Sequence, residues 1–142
     1  MKKLIAVFLA LLLIIPAAVS ADEPDPIVGC WYMCVDANDT SQDYIDKGYI
    51  YSVALAVFTP GGQILCQNID FKESSGTAGN VTYVGKWNRE GDKYIASIIA
   101  AGENEALLSG NALAVCLFNS KQYVVLRRMD MFSMYNDIYR VQ

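Results

Sequence analysis

From Ile27 onward the chain alternates apolar, β-branched runs of six to ten residues with clusters of Gly, Asn, Asp and Ser. Runs of that length between turn formers predict many short strands, arranged as a sandwich or a barrel. No segment carries the apolar stripe of a convincing amphipathic helix. Strands are expected at Ile27–Val35, Tyr49–Phe58, Gln63–Phe71, Val81–Asn88, Lys93–Ala100, Ala106–Ser109, Ala112–Phe118 and Gln122–Arg128, with a further one near Asp137–Val141. Thr59-Pro60-Gly61-Gly62 sets Pro where φ is preset and Gly where φ can turn positive, which predicts a tight hairpin. Asn88-Arg89-Glu90-Gly91-Asp92 and Asn119-Ser120-Lys121 make the equivalent links between the fourth and fifth and the seventh and eighth strands.

Side chains alternate across a strand, so a period of two sorts the faces. In the fourth strand Val81, Tyr83 and Trp87 fall with Gly85 on one side, which is expected to face the core. In the third, Leu65, Ile69 and Phe71 oppose Asn68 and Asp70, and in the second the bulky Tyr51, Val53, Leu55 and Val57 oppose Ser52, Ala54 and Ala56. Few strands are apolar on both faces. The expected fold is therefore all-β: one small, closed, antiparallel up-and-down barrel of about eight strands with a wetted outer surface, a sandwich being the alternative. Two longer connections stand apart: Asp36–Lys47 is acid-rich, and Lys72–Asn80, rich in Ser and Gly, reads as a mobile loop.

The first 21 residues have a different pattern. Lys2 and Lys3 precede an unbroken apolar run of twelve residues, Leu4 to Ile15, which Pro16 ends. That is a secretory signal peptide with its helix in the apolar run; Val19 and Ala21 supply the small residues for cleavage after Ala21, with Ser20 the alternative. Twelve residues fall short of the roughly 20 that cross a bilayer, so no transmembrane helix is expected in the mature chain. Residues 22–26 read as a linker and residues 27–142 as one domain, about 121 residues in all, enough for a single core. The expected location is outside the cell or in its envelope.

Losing Lys2 and Lys3 and no acid takes the formal charge from −4 to −6. Such a balance argues against nucleic acid or an anionic membrane as partner, since both need clustered cations. Arg127-Arg128 reads as a solvated strand end. Histidine is absent, which removes the commonest general base, the usual partner of a Ser or Cys nucleophile and the commonest zinc ligand. No catalytic residue, cofactor motif or metal site is identified. The carboxylates Asp43, Asp46, Glu73 and Glu105 have no spacing that pairs any two. Asp36 to Asp43 starts like a calcium loop and fails at Ser41, where the sharp turn needs Gly, and at Lys47, where Glu is required. Asn38-Asp39-Thr40 and Asn80-Val81-Thr82 are sequons in form.

Cys30, Cys34, Cys66 and Cys116 are an even number in an exported chain, so disulfides are expected. Four residues along one strand separate Cys30 and Cys34 by roughly 13 Å. A disulfide tolerates about 4.4–6.8 Å between Cα atoms. Two connectivities remain: 30–66 with 34–116, or 30–116 with 34–66. Buried reduced thiols are the alternative, and the missing Cys-x-x-Cys spacing argues against zinc. Tyr44, Tyr49 and Tyr51, beside the long loop, are candidates for a ligand mouth or for rim packing. Met129, Met131, Phe132, Met134, Tyr135 and Tyr139 form a tail expected to close one end of the barrel.

Ile27-Val28-Gly29-Cys30-Trp31-Tyr32 resembles the first-strand Gly-x-Trp signature of lipocalin-like, calycin-type β-barrels. The Val-Gly-x-Trp string recurs at Val84-Gly85-Lys86-Trp87, with Phe58-Thr59-Pro60-Gly61-Gly62 between the two and Glu90-Gly91-Asp92-Lys93-Tyr94 after them. This order, over residues 27–128, is similar to that of uncharacterised secreted lipocalin-like domains of bacteria and archaea. The resemblance makes Gly29, Trp31, Gly85 and Trp87 the barrel signature. It implies an apolar interior and leans towards binding a small apolar ligand or another exported protein. A structural or stress-related envelope protein with a filled barrel is the alternative, and an envelope enzyme using carboxylates the third. Ile27-Val28-Gly29-Cys30 also has the form of a lipobox, but Asp22, Glu23 and Asp25 separate it from the apolar run, and Gly29 and Trp31 already serve the signature, so lipidation at Cys30 is not expected.

Overall fold

Alternating residues fold here as strands joined by connections of two to twelve residues, each strand pairing with the next in sequence. The computed structural model describes residues 23–36, 39, 41–72, 76–117, 120, 123–130, 134, 136 and 137, with backbone alone for 76–80. Eight strands, β1 (Gly29–Asp36), β2 (Tyr49–Phe58), β3 (Gln63–Lys72), β4 (Gly76–Glu90), β5 (Lys93–Ile98), β6 (Gly102–Ser109), β7 (Ala112–Cys116) and β8 (Tyr123–Arg128), make a closed barrel in chain order. Every pairing is antiparallel, and β8 returns to β1 through Trp31 opposite Arg128 and Tyr32 opposite Arg127. The expected all-β, up-and-down antiparallel barrel is the fold. The expected signal peptide over residues 1–21 lies outside the described residues.

The structure corrects several boundaries. β4 starts at Gly76, not Val81, so most of the expected loop at 72–80 is strand, with Gly79 opposite Asp70 and Thr77 opposite Phe71. Its small residues hide the strand from a propensity reading; the backbone still pairs with the long β3. β6 begins at Gly102 rather than Ala106, because its polar first half, Glu103-Asn104-Glu105, is paired to β5. β5 ends at Ile98, and the chain turns through Ala100 with φ +64°. A short helix, α1 (Gln42–Asp46), occupies the acid-rich connection; five residues are too few to show a stripe. Of the ninth expected strand, Asp137 lies in a helical turn and residues 138–141 are outside the described ones.

The inner face carries Trp31 and Met33 of β1, Ala56 and Phe58 of β2, Ile64 and Cys66 of β3, and Trp87 of β4. Tyr94, Ala96 and Ile98 of β5, Ala106 and Leu108 of β6, Leu113 and Val115 of β7, and Val124 and Leu126 of β8 complete it. On β4, Tyr83 lines the interior and Trp87 packs against the core as expected, whereas Val81 is 47% exposed. On β2 it is the small set that faces inward, while the bulky Tyr51 and Val53 lie outside yet are only 6% and 4% exposed. On the outer face of the neighbouring β1, the Asp137 carboxylate accepts a 2.8 Å bond from the Tyr32 hydroxyl.

One end of the barrel is filled. Ile27 and Trp31 are wholly buried, and the Trp31 indole N–H donates to the Ile27 carbonyl at 2.8 Å. Trp87 meets Phe58 and Tyr94 edge to face at 6.0 and 5.9 Å. Asp25 fastens the preceding segment, accepting from the Tyr94 hydroxyl at 2.6 Å and the Ile27 N–H at 3.0 Å. Large rings therefore concentrate at this end, and the small residues lie towards the other.

Candidate functional site

The inward residues Ala54 and Ala56 of β2, Ala96 of β5 and Ala106 of β6 face one another across the barrel and leave its middle empty of side chains. The result is a cavity of about 420 Å³. Met33, Cys66, Tyr83, Ile98, Val115 and Val124 enclose it at mid-height, Phe58, Ile64 and Leu126 form its floor, and Ala100, Ala101 and Leu117 border it in the connections at the far end. Asn104, 2% exposed, is polar, but its amide donates to the Ala96 and Gly102 carbonyls at 3.3 and 3.2 Å. Among the described residues no buried side-chain nitrogen or oxygen lacks a partner. Asn68, which is exposed, is the other polar residue of the lining. The rest of the lining is largely apolar, which suits an apolar guest.

The far end is dressed by α1 and the ends of β2 and β3. Asp70 stands opposite Ser52 on the inward side, and its Oδ1 accepts from Ser52 Oγ at 2.7 Å and from the Tyr44 hydroxyl of α1 at 2.5 Å. Tyr44 also stacks on Tyr49, centroids 4.3 Å apart. The β2–β3 register slips by one residue between Tyr49 and Tyr51. A slip of one turns a side chain to the other face. It sets Tyr49 across from Lys72, whose ammonium lies 4.8 Å from the Tyr49 ring centre. Tyr51 stacks on Phe71 at 4.4 Å on the outer side. Of the three tyrosines considered for a mouth, Tyr44 and Tyr49 are thus brought together there, and Tyr51 is not. Burial first, and then the bond to Asp70, push the Tyr44 phenol up to about 12.

Of the residues that carry the resemblance, Gly29, Trp31 and Trp87 sit at the filled end. Gly29 has φ +139°, and a Cβ there would lie 3.0 Å from the Arg128 guanidinium. That guanidinium lies 4.9 Å from the Trp31 ring centre and donates to the carbonyls of Pro26 and Val28. Arg128, read from the sequence as a solvated strand end, is exposed and also ties the end of β8 to the segment before β1. Trp87 belongs to the same core as Trp31 and donates to the Thr59 carbonyl at 3.0 Å.

The expected disulfides are corrected: Cys30, Cys34, Cys66 and Cys116 are all free thiols. Both connectivities required Cys66 to reach Cys30 or Cys34, but Cys66 points into the cavity while the β1 cysteines alternate with the inward Trp31 and Met33 and point out. Cys116 also points out, two strands from β1 across β8, roughly 10 Å away, beyond a disulfide's reach. Burial pushes the Cys66 thiol up to about 11.

The carboxylates weighed for catalysis do not converge. Asp43 is bound by Lys47 at 2.6 Å within the α1 region, Glu105 by Lys93 at 2.7 Å on the barrel wall, and Glu73 lies outside the described residues. Among the described residues no three His, Cys, Asp or Glu side chains come close enough to hold a metal ion. The described part of the methionine tail runs past the filled end, where the Met129 N–H donates to the Cys30 carbonyl at 2.8 Å. Compared with known proteins, the chain matches no family, no curated protein and no solved structure, so what its site does is read from the cavity and its mouth alone.

Proposed function

We propose that the protein is exported, through a signal peptide over residues 1–21 cut after Ala21, and acts as a lipocalin-like binding protein whose barrel interior holds a small apolar ligand. The observation that carries this reading is the 420 Å³ cavity left where four inward alanines face each other. Ligand sites of small molecules span about 300–1,000 Å³ and are mostly apolar with a few placed polar groups, as here. A barrel serving only as a filled scaffold has no use for small residues at its centre, where every unfilled methylene costs dispersion contact. Trp31, wholly buried beside Gly29, and Trp87, packed against the same core, support the lipocalin-like part of the reading.

Native mass spectrometry of the protein purified from its own source tests it. A small molecule should appear as added mass that is lost on denaturation. Ala54→Leu, which places a branched side chain into the cavity near its mouth, should lower retention at least ten-fold while leaving the thermal midpoint unchanged or higher. Retention unaffected by the filled cavity would place the ligand elsewhere and end the proposal.

A further inference from the structure

The mouth of this cavity has a chemistry of its own. Ala54 and Asn68 line the cavity on β2 and β3; two residues further along each strand, on the same inward face, stand Ser52 and Asp70. Two residues along a strand is about 7 Å. Asp70 is therefore a carboxylate held about one layer above the apolar space. One of its two donors, Ser52, belongs to the barrel wall. The other, Tyr44, comes from α1, a helix of five residues with no buried side chain and no side-chain cap at Ser41. A helix that short has little stability of its own. The Tyr44 hydroxyl is thus a replaceable donor over the cavity, and its place marks where a ligand's donor would go.

The charges around it are mostly negative. Asp36, Asp43 and Asp46 lie at the same end as Asp70 and outnumber the cations there, Lys47, which pairs with Asp43, and Lys72, whose ammonium keeps its charge over the Tyr49 ring. A carboxylate head at the mouth would meet Asp70 in this field, whereas an amine or hydroxyl head would make a charge-assisted bond to it.

We propose that Asp70 selects the ligand's head group: the guest is an amphiphile whose amine or hydroxyl replaces the Tyr44 hydroxyl on Asp70 while its apolar tail fills the cavity, and carboxylate-headed amphiphiles are rejected. This rests on the cavity being a ligand site. Competitive titration of the full chain with decylamine, decanol and decanoate, each below its micellar concentration and with folding followed by circular dichroism, tests it. Decylamine and decanol should bind, decanoate at least ten-fold more weakly than decylamine. Asp70→Asn should bring decylamine to within about two-fold of decanol. Tyr44→Phe keeps the carboxylate and removes its competitor, so it should tighten decylamine about five-fold, the worth of one ordinary hydrogen bond. Equal binding of all three amphiphiles, amine preference surviving in Asp70→Asn, or weaker amine binding in Tyr44→Phe would overturn head-group selection while the cavity reading stood. Binding of none of the three would overturn both.

Discussion

Two glycines show how differently one substitution acts at two places in the same barrel. A Cβ on Gly85 would lie 2.2 Å from the Ser97 carbonyl oxygen and 2.8 Å from the Ile98 Cα, both backbone atoms of the neighbouring strand. Neither can rotate away. On Gly91, at the β4–β5 turn with φ +63°, a Cβ would meet nothing within 4 Å, and only the left-handed backbone would be strained. Gly85→Ala should then cost about 3 kcal/mol, as overpacking against fixed backbone does, and Gly91→Ala about 1–2 kcal/mol. Urea midpoints of the two variants decide it; equal midpoints would mean that β4 and β5 do not approach as closely as the signature glycine implies.

At the scale of elements, the strands were legible wherever alternation was strong, from β2 and β3 through β7 and β8. They were illegible where polar or small residues do structural work, as in the Glu103-Asn104-Glu105 half of β6, where Glu105 pairs with Lys93 and the Asn104 amide donates to the Ala96 carbonyl of β5. The cavity was illegible for a related reason. Bulk signals a core, yet on β2 the alanines face inward and Tyr51 and Val53 are buried on the outer face, which the strand's own alternation does not reveal. Tyr44 and Tyr49 were readable as aromatics beside a loop. Asp70 read as a wetted position, and only its register opposite Ser52 reveals its part in the mouth. Which face a cysteine takes depends on the same register. Titration of the denatured protein without reductant should therefore find four thiols. In the folded protein Cys66, raised from 9.0 to about 11, should alkylate about a hundred-fold more slowly at pH 8 than an ordinary thiol and speed up towards pH 11. Fewer than four thiols would require a strand register other than the one described.

Across the whole molecule, three segments outside the barrel are fastened to it by the same device, a tyrosine hydroxyl on an aspartate. Tyr94 holds Asp25 and the segment before β1 at 2.6 Å, Tyr44 of α1 reaches Asp70 at 2.5 Å, and Tyr32 holds Asp137 at 2.8 Å. Burial first, then the facing carboxylate, push all three phenols from 10.0 up to about 12. Between those values the folded chain keeps protons that the unfolded chain has released, so stability must fall as pH rises. The contribution of the three bonds is complete below pH 10 and is lost as pH climbs through about 12; Cys66 adds a loss that begins at its ordinary value of 9.0. Asp25 sets the opposite limit. Burial would raise it, but the bonds from Tyr94 and the Ile27 N–H, with the Arg89 charge, outweigh that and bring it below 3.8, so its contribution is complete above its ordinary value and disappears as pH falls through the lowered one. Ultraviolet titration should show Tyr32, Tyr44 and Tyr94 ionising near pH 12, together with loss of the β-sheet dichroism. Tyr94→Phe should cost about 1 kcal/mol at neutral pH, yet flatten the alkaline decline, because one raised phenol has gone. An unchanged alkaline slope in that variant would mean that the fastening at Asp25 does not carry the pH dependence, and that the ends of the barrel are held by packing alone.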